Sequence, residues 1–340
     1  MKKAIILFNL GGPDKPESVQ PFLFNLFNDP AIISLPTILR YPLAKLIAKR
    51  RAPVAKAIYS EIGGSSPILQ QTLIQARAIE KSLVGEKDSY KCFIVMRCWN
   101  PRAEETIKKV KKFDPQQIIL LPLYPQYSAA TSGSSIKEWE ETCNDHQYKI
   151  DTKIICCYPT EESFITSHAN LIKQKIKKED KDNTIIIFSA HGLPENKIKK
   201  GDPYQWQVEK SVEKLVEVLC LEKSQFILSY QSRVGPLKWI GPSTDKIIIS
   251  ESKKNKKIIL IPIAFVSEHS ETLVELDIEY KKIAIDNGCK EYVRIPALTS
   301  NQEFISSLKK SILKTAHQEK YTSSILCPEK FKKCPRLMEI

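Results

Sequence analysis

The chain has 340 residues, of which 42% are hydrophobic, 27% charged and 8% aromatic, a make-up that excludes a disordered or fibrous protein and suits a globular one of about two domains. No apolar run reaches the roughly 18 residues a spanning helix needs, so the chain can touch a bilayer but not cross it. Fifty-two Lys and Arg against 39 Asp and Glu leave a net charge of +13, which favours an anionic partner; nucleic acid is excluded by the lack of a recognisable binding fold or aromatic platform.

Met1-Lys2-Lys3 precedes an apolar stretch of residues 4–10 that is short for a secretory signal and ends in Asn9-Leu10-Gly11-Gly12-Pro13 without a cleavage site. It reads as a buried strand entering a turn, and a cytoplasmic address follows by default. Further short β-rich runs at 92–96, 118–121, 154–157, 184–188, 225–228, 258–261 and 292–295 are spaced widely enough for helices between them. Eight strands falling as four plus four predict an α/β fold of two similar doubly wound, Rossmann-like domains, each with a four-stranded parallel sheet flanked by helices. The expected divisions are 1–160, 161–312 and a basic tail at 313–340.

Ligands of open α/β sheets bind beyond the carboxyl ends of the strands, and the unusual residues gather there. Asn9 to Pro13 follows the first strand, Arg97-Cys98-Trp99-Asn100-Pro101 the second, and Pro122-Leu123-Tyr124-Pro125-Gln126-Tyr127-Ser128 the third. Ser189-Ala190-His191-Gly192-Leu193-Pro194 follows the fifth, Gln231-Ser232-Arg233-Val234-Gly235-Pro236 the sixth, and Ala264 to Glu271 the seventh. Neither Gly11-Gly12-Pro13 nor Gly63-Gly64-Ser65-Ser66-Pro67 has the spacing of a dinucleotide or phosphate loop. Lysine pairs such as Lys108-Lys109, Lys177-Lys178 and Lys199-Lys200 read as solvated surface.

Residues 18–51 are rich in apolar side chains (Phe22, Leu23, Phe24, Leu26, Phe27, Ile32, Ile33, Leu35, Ile38, Leu39) and close with Lys49-Arg50-Arg51. Such a patch fits a membrane-facing lip, the mouth of an aromatic-ligand site, or simple burial. Glu268, Glu271, Glu275 and Glu279 recur at helical spacing, either as a solvated stripe or as a cation or proton path in an otherwise basic protein. His191 beside Gly192 is either a base working near neutral pH or, with a glutamate, a loose ligand pair for a divalent ion such as iron. Nine cysteines without a C-x-x-C pair argue against a disulfide framework and a zinc site, and read as reduced core thiols.

These strings resemble the ferrochelatase family, whose members insert ferrous iron into a porphyrin. The resemblance runs from Lys3 to about Thr299 and is carried by Leu10 to Pro13, Pro122 to Ser128, Phe188 to Pro194, Gln231 to Pro236 with Trp239 and Gly241-Pro242, and Phe265 to Tyr280. It implies a lyase of haem biosynthesis, with two chelatase-type halves and a porphyrin cleft between them. His191 and Glu271 match the pair assigned to iron binding and pyrrole deprotonation, with Glu268, His269 and Glu275 on the acidic path beside them. Arg51, Tyr59 and Ser66 match residues near the porphyrin propionates. Trp239 and residues 10–39 would enclose the ring, and Arg97 and Tyr127 join them as expected substrate contacts.

The resemblance further implies protoporphyrin IX and ferrous iron as substrates, with no cofactor required. The lip and charge extend this to peripheral association with an anionic membrane, on the inner face of the cell membrane. Two positions depart from the family's pattern: Cys98 stands where an aromatic residue is common, and Ala129 where animal-type members carry a ligand of a [2Fe-2S] cluster. Cys327 and Cys334 are the only suggestive pair for such a cluster. A porphyrin carrier and a cobalt or nickel chelatase are the competing expectations; a carrier has no need of a proton path.

Overall fold

Residues Ala4 to Phe8 are all 0% exposed, because a central parallel strand is covered on both faces and must be apolar throughout. They lie in β1 (Lys2–Asn9) of a computed structural model that describes every residue except 177–182, 234, 236, 319 and 338–340. Lys177, Lys178, Val234 and Pro236 of the strings above therefore lie outside the described residues. The chain divides into two units: Met1–Tyr124 with Ser128–Cys156 and Leu308–Thr322, and Pro125–Tyr127 with Cys157–Ser307 and the chain from Ser323.

In the first unit, β1 pairs in parallel with β2 (Ser89–Met96) and β3 (Gln117–Pro122), and β3 with β4 (Asp151–Cys157). The sheet order is β2-β1-β3-β4-β9, so it has five strands where four were expected. The fifth, β9 (Tyr321–Ser323), runs beside β4, where Ile154 N donates to Lys320 O at 2.7 Å and Ser324 N to Cys157 O at 3.2 Å. Three residues of mixed polarity carry no readable period, so tertiary pairing alone makes this strand. Ile107 and Val110 of α4 (Ala103–Phe113) and Ile136 and Trp139 of α5 (Ser132–Asp145) pack one face of the sheet. The unit also contains α1 (Val19–Phe27), α2 (Thr37–Ser60), α3 (Ile68–Ser82) and most of α11 (Gln302–Thr315).

The apolar patch at 18–51 splits. Val19, Phe22 and Leu23 are buried with Ala48, Ala52 and Tyr59 between α1 and α2. Ile38 is 82% exposed and Val54 63%, with Leu39, Tyr41 and Leu46 also open.

In the second unit, β5 (Thr184–His191), β6 (Phe226–Gln231), β7 (Lys257–Pro262) and β8 (Glu291–Arg294) are parallel in the order β6-β5-β7-β8. That order repeats the first four strands of unit one. The helices are α6 (Glu162–Lys173), α7 (Glu195–Lys199), α8 (Tyr204–Leu219), α9 (Thr244–Ser252) and α10 (Tyr280–Asp286). Ile185, Ile187, Ile258 and Leu260 meet Leu276, Tyr280 and Ala284 in one core cluster. β5 begins at Thr184 as the sequence reading has it but ends later: the ladder continues through Ser189 and Ala190, both 0% exposed, so His191 is the last strand residue and not a loop residue.

Candidate active site

His191 is placed by backbone pairing with Gln231 of β6 and by Tyr204, whose hydroxyl donates to His191 O at 3.0 Å. Gly192 follows because no side chain fits there: a Cβ would stand 2.9 Å from Gln231 O and 3.2 Å from the Trp239 ring. Trp239 thus lies against the residue next to His191, and its indole N–H is buried without a hydrogen-bond partner among the described residues. An unpartnered buried donor beside a histidine is available to a ligand.

The loop after β7 and the helix that follows supply the carboxylates. Residues Glu271–Glu279 form a π-helix, in which Tyr280 N–H reaches back to Glu275 O, before α10 continues as an α-helix. An α-helical face was expected here; a π-turn instead rotates successive glutamates apart, and such turns concentrate at functional sites. Glu271 Oε2 lies 3.0 Å from His191 Nδ1 and 3.6 Å from His269 Nε2. The two side chains of the first pair are each about one-third exposed (36% and 31%). Phe265 sits between the imidazoles, with ring centroids 6.4 Å from His191 and 4.6 Å from His269.

The carboxylates are driven apart in acidity. Burial alone would raise Glu271, but His191 and His269 outweigh it and hold the carboxyl well below its ordinary range. Burial likewise opposes charge on His191, yet Glu271 keeps its pKa raised. Because an ionised carboxylate only accepts, His191 Nδ1 carries the hydrogen, and in the neutral ring the lone pair is on Nε2. Glu275 goes the other way, raised by burial and by the Glu271 charge despite its hydrogen bonds. Those bonds come from Ser232 N at 3.0 Å, Ser232 Oγ at 2.5 Å, Gln231 Nε2 at 3.2 Å and Tyr280 Oη at 2.8 Å. Ser232 adopts φ 61°, a left-handed conformation that costs a non-glycine residue about 1–3 kcal/mol and aims both its donors at Glu275. A neighbouring pair with opposite shifts is what acid–base chemistry at one site requires.

The acidic row is therefore not one surface. Glu271 joins His191 and His269, Glu275 joins Ser232, Gln231 and Tyr280, and Glu279 is exposed. Glu268 is engaged by Arg294 at 2.6 Å and by Ala297 N at 2.8 Å, and Arg294 lowers its pKa against the pull of burial. The sequence reading placed Gln231 and Ser232 at a strand end, Tyr280 at the close of a family string and Arg294 in a strand, but gave none of them a role; Tyr280 stands five residues after Glu275, the π-helical interval.

Of the expected substrate contacts, Arg51 is exposed on α2 and Tyr59 is buried eight residues further along the same helix. Ser66, in the turn after α2, donates its N–H to Pro13 O at 2.7 Å and presses on Gly12, where a Cβ would come within 2.5 Å of the serine side chain. Arg97 is committed elsewhere: its guanidinium meets Asp29 at 2.8 Å, Ser134 Oγ at 2.7 Å and Glu138 at 3.6 Å. Tyr127 is 4% exposed in the second unit, and its N–H donates to Gln207 Oε1 at 2.7 Å.

Cys327 and Cys334 are buried with Phe331, against Trp206 and Leu337. Gln207 Nε2 donates to Cys327 Sγ at 3.3 Å and to Cys157 Sγ at 3.4 Å. The contact with Cys334, followed by burial, pushes the Cys327 thiol far up. Among the described residues no group of three or more His, Cys, Asp or Glu stands together as a metal-ligand set.

A family model described as Ferrochelatase matches residues 2–316. The chain is 65% identical to a ferrochelatase of Pelagibacter ubique (strain HTCC1062) over 343 aligned residues, covering 99% of each chain. It is 49% identical to one of Rickettsia bellii (strain OSU 85-389), covering 97% of this chain and 94% of that one. Among solved structures, the sirohydrochlorin chelatase SirB from Bacillus subtilis subspecies spizizenii in complex with cobalt superposes with a TM-score of 0.53 at 11% identity, over 93% of this chain and 96% of that one. SirB from Bacillus subtilis with Fe3+ gives 0.51 at 13% identity over the same shares. At such identities the likeness is one of fold. Among the described residues no helix is long and apolar enough to cross a membrane.

Proposed function

The chain belongs to the ferrochelatase family, so its reaction is insertion of ferrous iron into a porphyrin, the terminal step of haem biosynthesis, and we propose that His191 and Glu271 carry that chemistry on protoporphyrin IX. The observation that supports the assignment is the 3.0 Å contact of His191 Nδ1 with Glu271 at the carboxyl end of β5. Metallation exchanges two pyrrole N–H protons for one Fe2+. The flat ring keeps its nitrogens in plane, so the protein must grip the ring, present the metal and take the protons.

Glu271, kept ionised, supplies negative charge to an arriving cation, while His191 Nε2 offers a lone pair for a pyrrole proton or the metal. Glu275, whose pKa is raised, is the better station for a proton in transit, held there among the hydroxyls of Ser232 and Tyr280. Arg51, Tyr59 and Ser66 are assigned to the propionates and Trp239 to the ring edge. Anaerobic loss of porphyrin fluorescence on adding ferrous iron tests the substrate. Protoporphyrin IX should be metallated at least about tenfold faster than coproporphyrin at equal concentration, a difference of about 1.4 kcal/mol in the barrier; the reverse order would replace the substrate, and tight binding without metallation would make the protein a carrier.

We also assign peripheral association with an anionic membrane to the open side of α2. Ile38, Leu39, Tyr41, Leu46 and Val54 are exposed there alongside Lys45, Lys49, Arg50, Arg51 and Lys56, an apolar face with a basic border. Cosedimentation with phosphatidylglycerol vesicles should be strong at low salt, weak at high salt, and abolished by Ile38→Asp with Leu39→Asp. Equal partition onto neutral vesicles would remove the electrostatic part, and no partition at low salt would remove the assignment.

A further inference from the structure

Arg294 ends β8 with only 9% of its side chain exposed. Its guanidinium reaches two carboxylates, one before the π-helix and one within it. Nη1 donates to Glu268 Oε1 at 2.6 Å, Nε to Asp277 Oδ1 at 2.8 Å, and Nη2 to Asp277 Oδ2. Glu268 lies in the loop before Glu271, and Asp277 lies beyond Glu275 in the helix itself. From the same strand, Tyr292 Oη donates to Leu276 O at 2.8 Å.

We propose that Arg294 is a positioning residue for iron insertion: by clamping Glu268 and Asp277 together it fixes the π-helical register of Glu271–Glu279 and so keeps Glu271 opposite His191. The inference rests on the assignment of His191 and Glu271 made above. His191 is held on β5 by ladder hydrogen bonds and does not adjust. Glu271 is on a turn with i→i+5 hydrogen bonds, a form that persists only where its surroundings hold it. Relaxation of that turn to the α form would rotate Glu271 relative to β5. A planar fork with fixed donor directions resists this rotation at both ends, and a lysine, a single point charge, does not. Glu268 then serves as an anchor of the clamp.

The test compares kcat and the porphyrin KM for Arg294→Lys, Arg294→Met with Asp277→Asn, and Glu268→Gln. The double variant removes one of the charges that Arg294→Met alone would strand, which guards against misfolding. A positioning role predicts that the double variant loses at least about tenfold in kcat with KM changed less than about twofold, and that Arg294→Lys falls between it and the unmodified protein. Hydrogen exchange at the Tyr280 amide, bonded to Glu275 O only in the π register, should accelerate in the same order. Unchanged kcat in the double variant, with melting near that of the unmodified protein, would overturn the proposal. So would a full loss from Glu268→Gln with the Tyr280 amide still protected, since Glu268 would then act by its own chemistry. His191→Ala, assayed in parallel, separates this failure from that of the site: if it too keeps its turnover, the assignment of His191 and Glu271 is what fails.

Discussion

Glu271→Gln is expected to lower kcat for iron insertion by about 10²- to 10⁴-fold, the range general acid–base groups supply, while porphyrin affinity stays nearly unchanged. The amide is isosteric and its oxygen still accepts from His191 Nδ1, so the packing around Phe265 and His269 survives. What disappears is the negative charge, and with it both the attraction for Fe2+ and the support for a protonated imidazole. His191→Ala should give a loss of similar size. Because the two side chains are in contact at 3.0 Å, the double variant should be little worse than either single one, as for residues acting as a unit. Stopped-flow fluorescence under anaerobic conditions reads the turnover and quenching of tryptophan fluorescence by the porphyrin reads the binding. Equal losses in both would show that the pair holds the ring and does not perform the exchange.

Arg97→Leu is expected to destabilise the first unit by about 3–5 kcal/mol, the cost of breaking a buried ion pair from one side. Asp29, with 2% of its side chain exposed, would be left charged and buried, with Ser134 Oγ, which donates to it at 2.6 Å, and Ala31 N, which donates at 2.8 Å, as its remaining partners. Arg97→Met combined with Asp29→Asn removes both charges and should recover much of the loss in urea denaturation. The recovered double variant also decides the role of the residue. If Arg97 is a packing element, the porphyrin KM will match that of the unmodified protein. A rise in KM of about tenfold, or roughly 1.4 kcal/mol of binding, would restore Arg97 to the expected substrate contacts.

The central strands were legible because residues such as Ala4 to Phe8 and Ile258 to Ile261 are covered on two faces and form unbroken apolar runs. Tyr321 to Ser323 were not, since three residues show no period and become a strand only when β4 offers its edge. His191 and Glu271 were legible as polar residues of the right chemistry just past apolar strands. The π-helix was not, because side-chain type hardly distinguishes an i→i+4 from an i→i+5 turn; hence Glu268, Glu271 and Glu275, read as one face, belong to three different hydrogen-bond groups.

By itself, then, the sequence determined the alternation of strand and helix, the family, and which strand ends carry reactive groups, all of which are encoded in residues near one another along the chain. Only the tertiary structure decided the partners. Arg97 and Arg294 are both cations at strand ends, yet one is spent on Asp29 and Glu138 and the other on Glu268 and Asp277. Glu271 and Glu275 are equal in sequence, yet one is held ionised by two histidines and the other is pushed toward its protonated form. Pairing and acidity depend on distance and burial between groups far apart in the chain, and these exist only once the chain has folded.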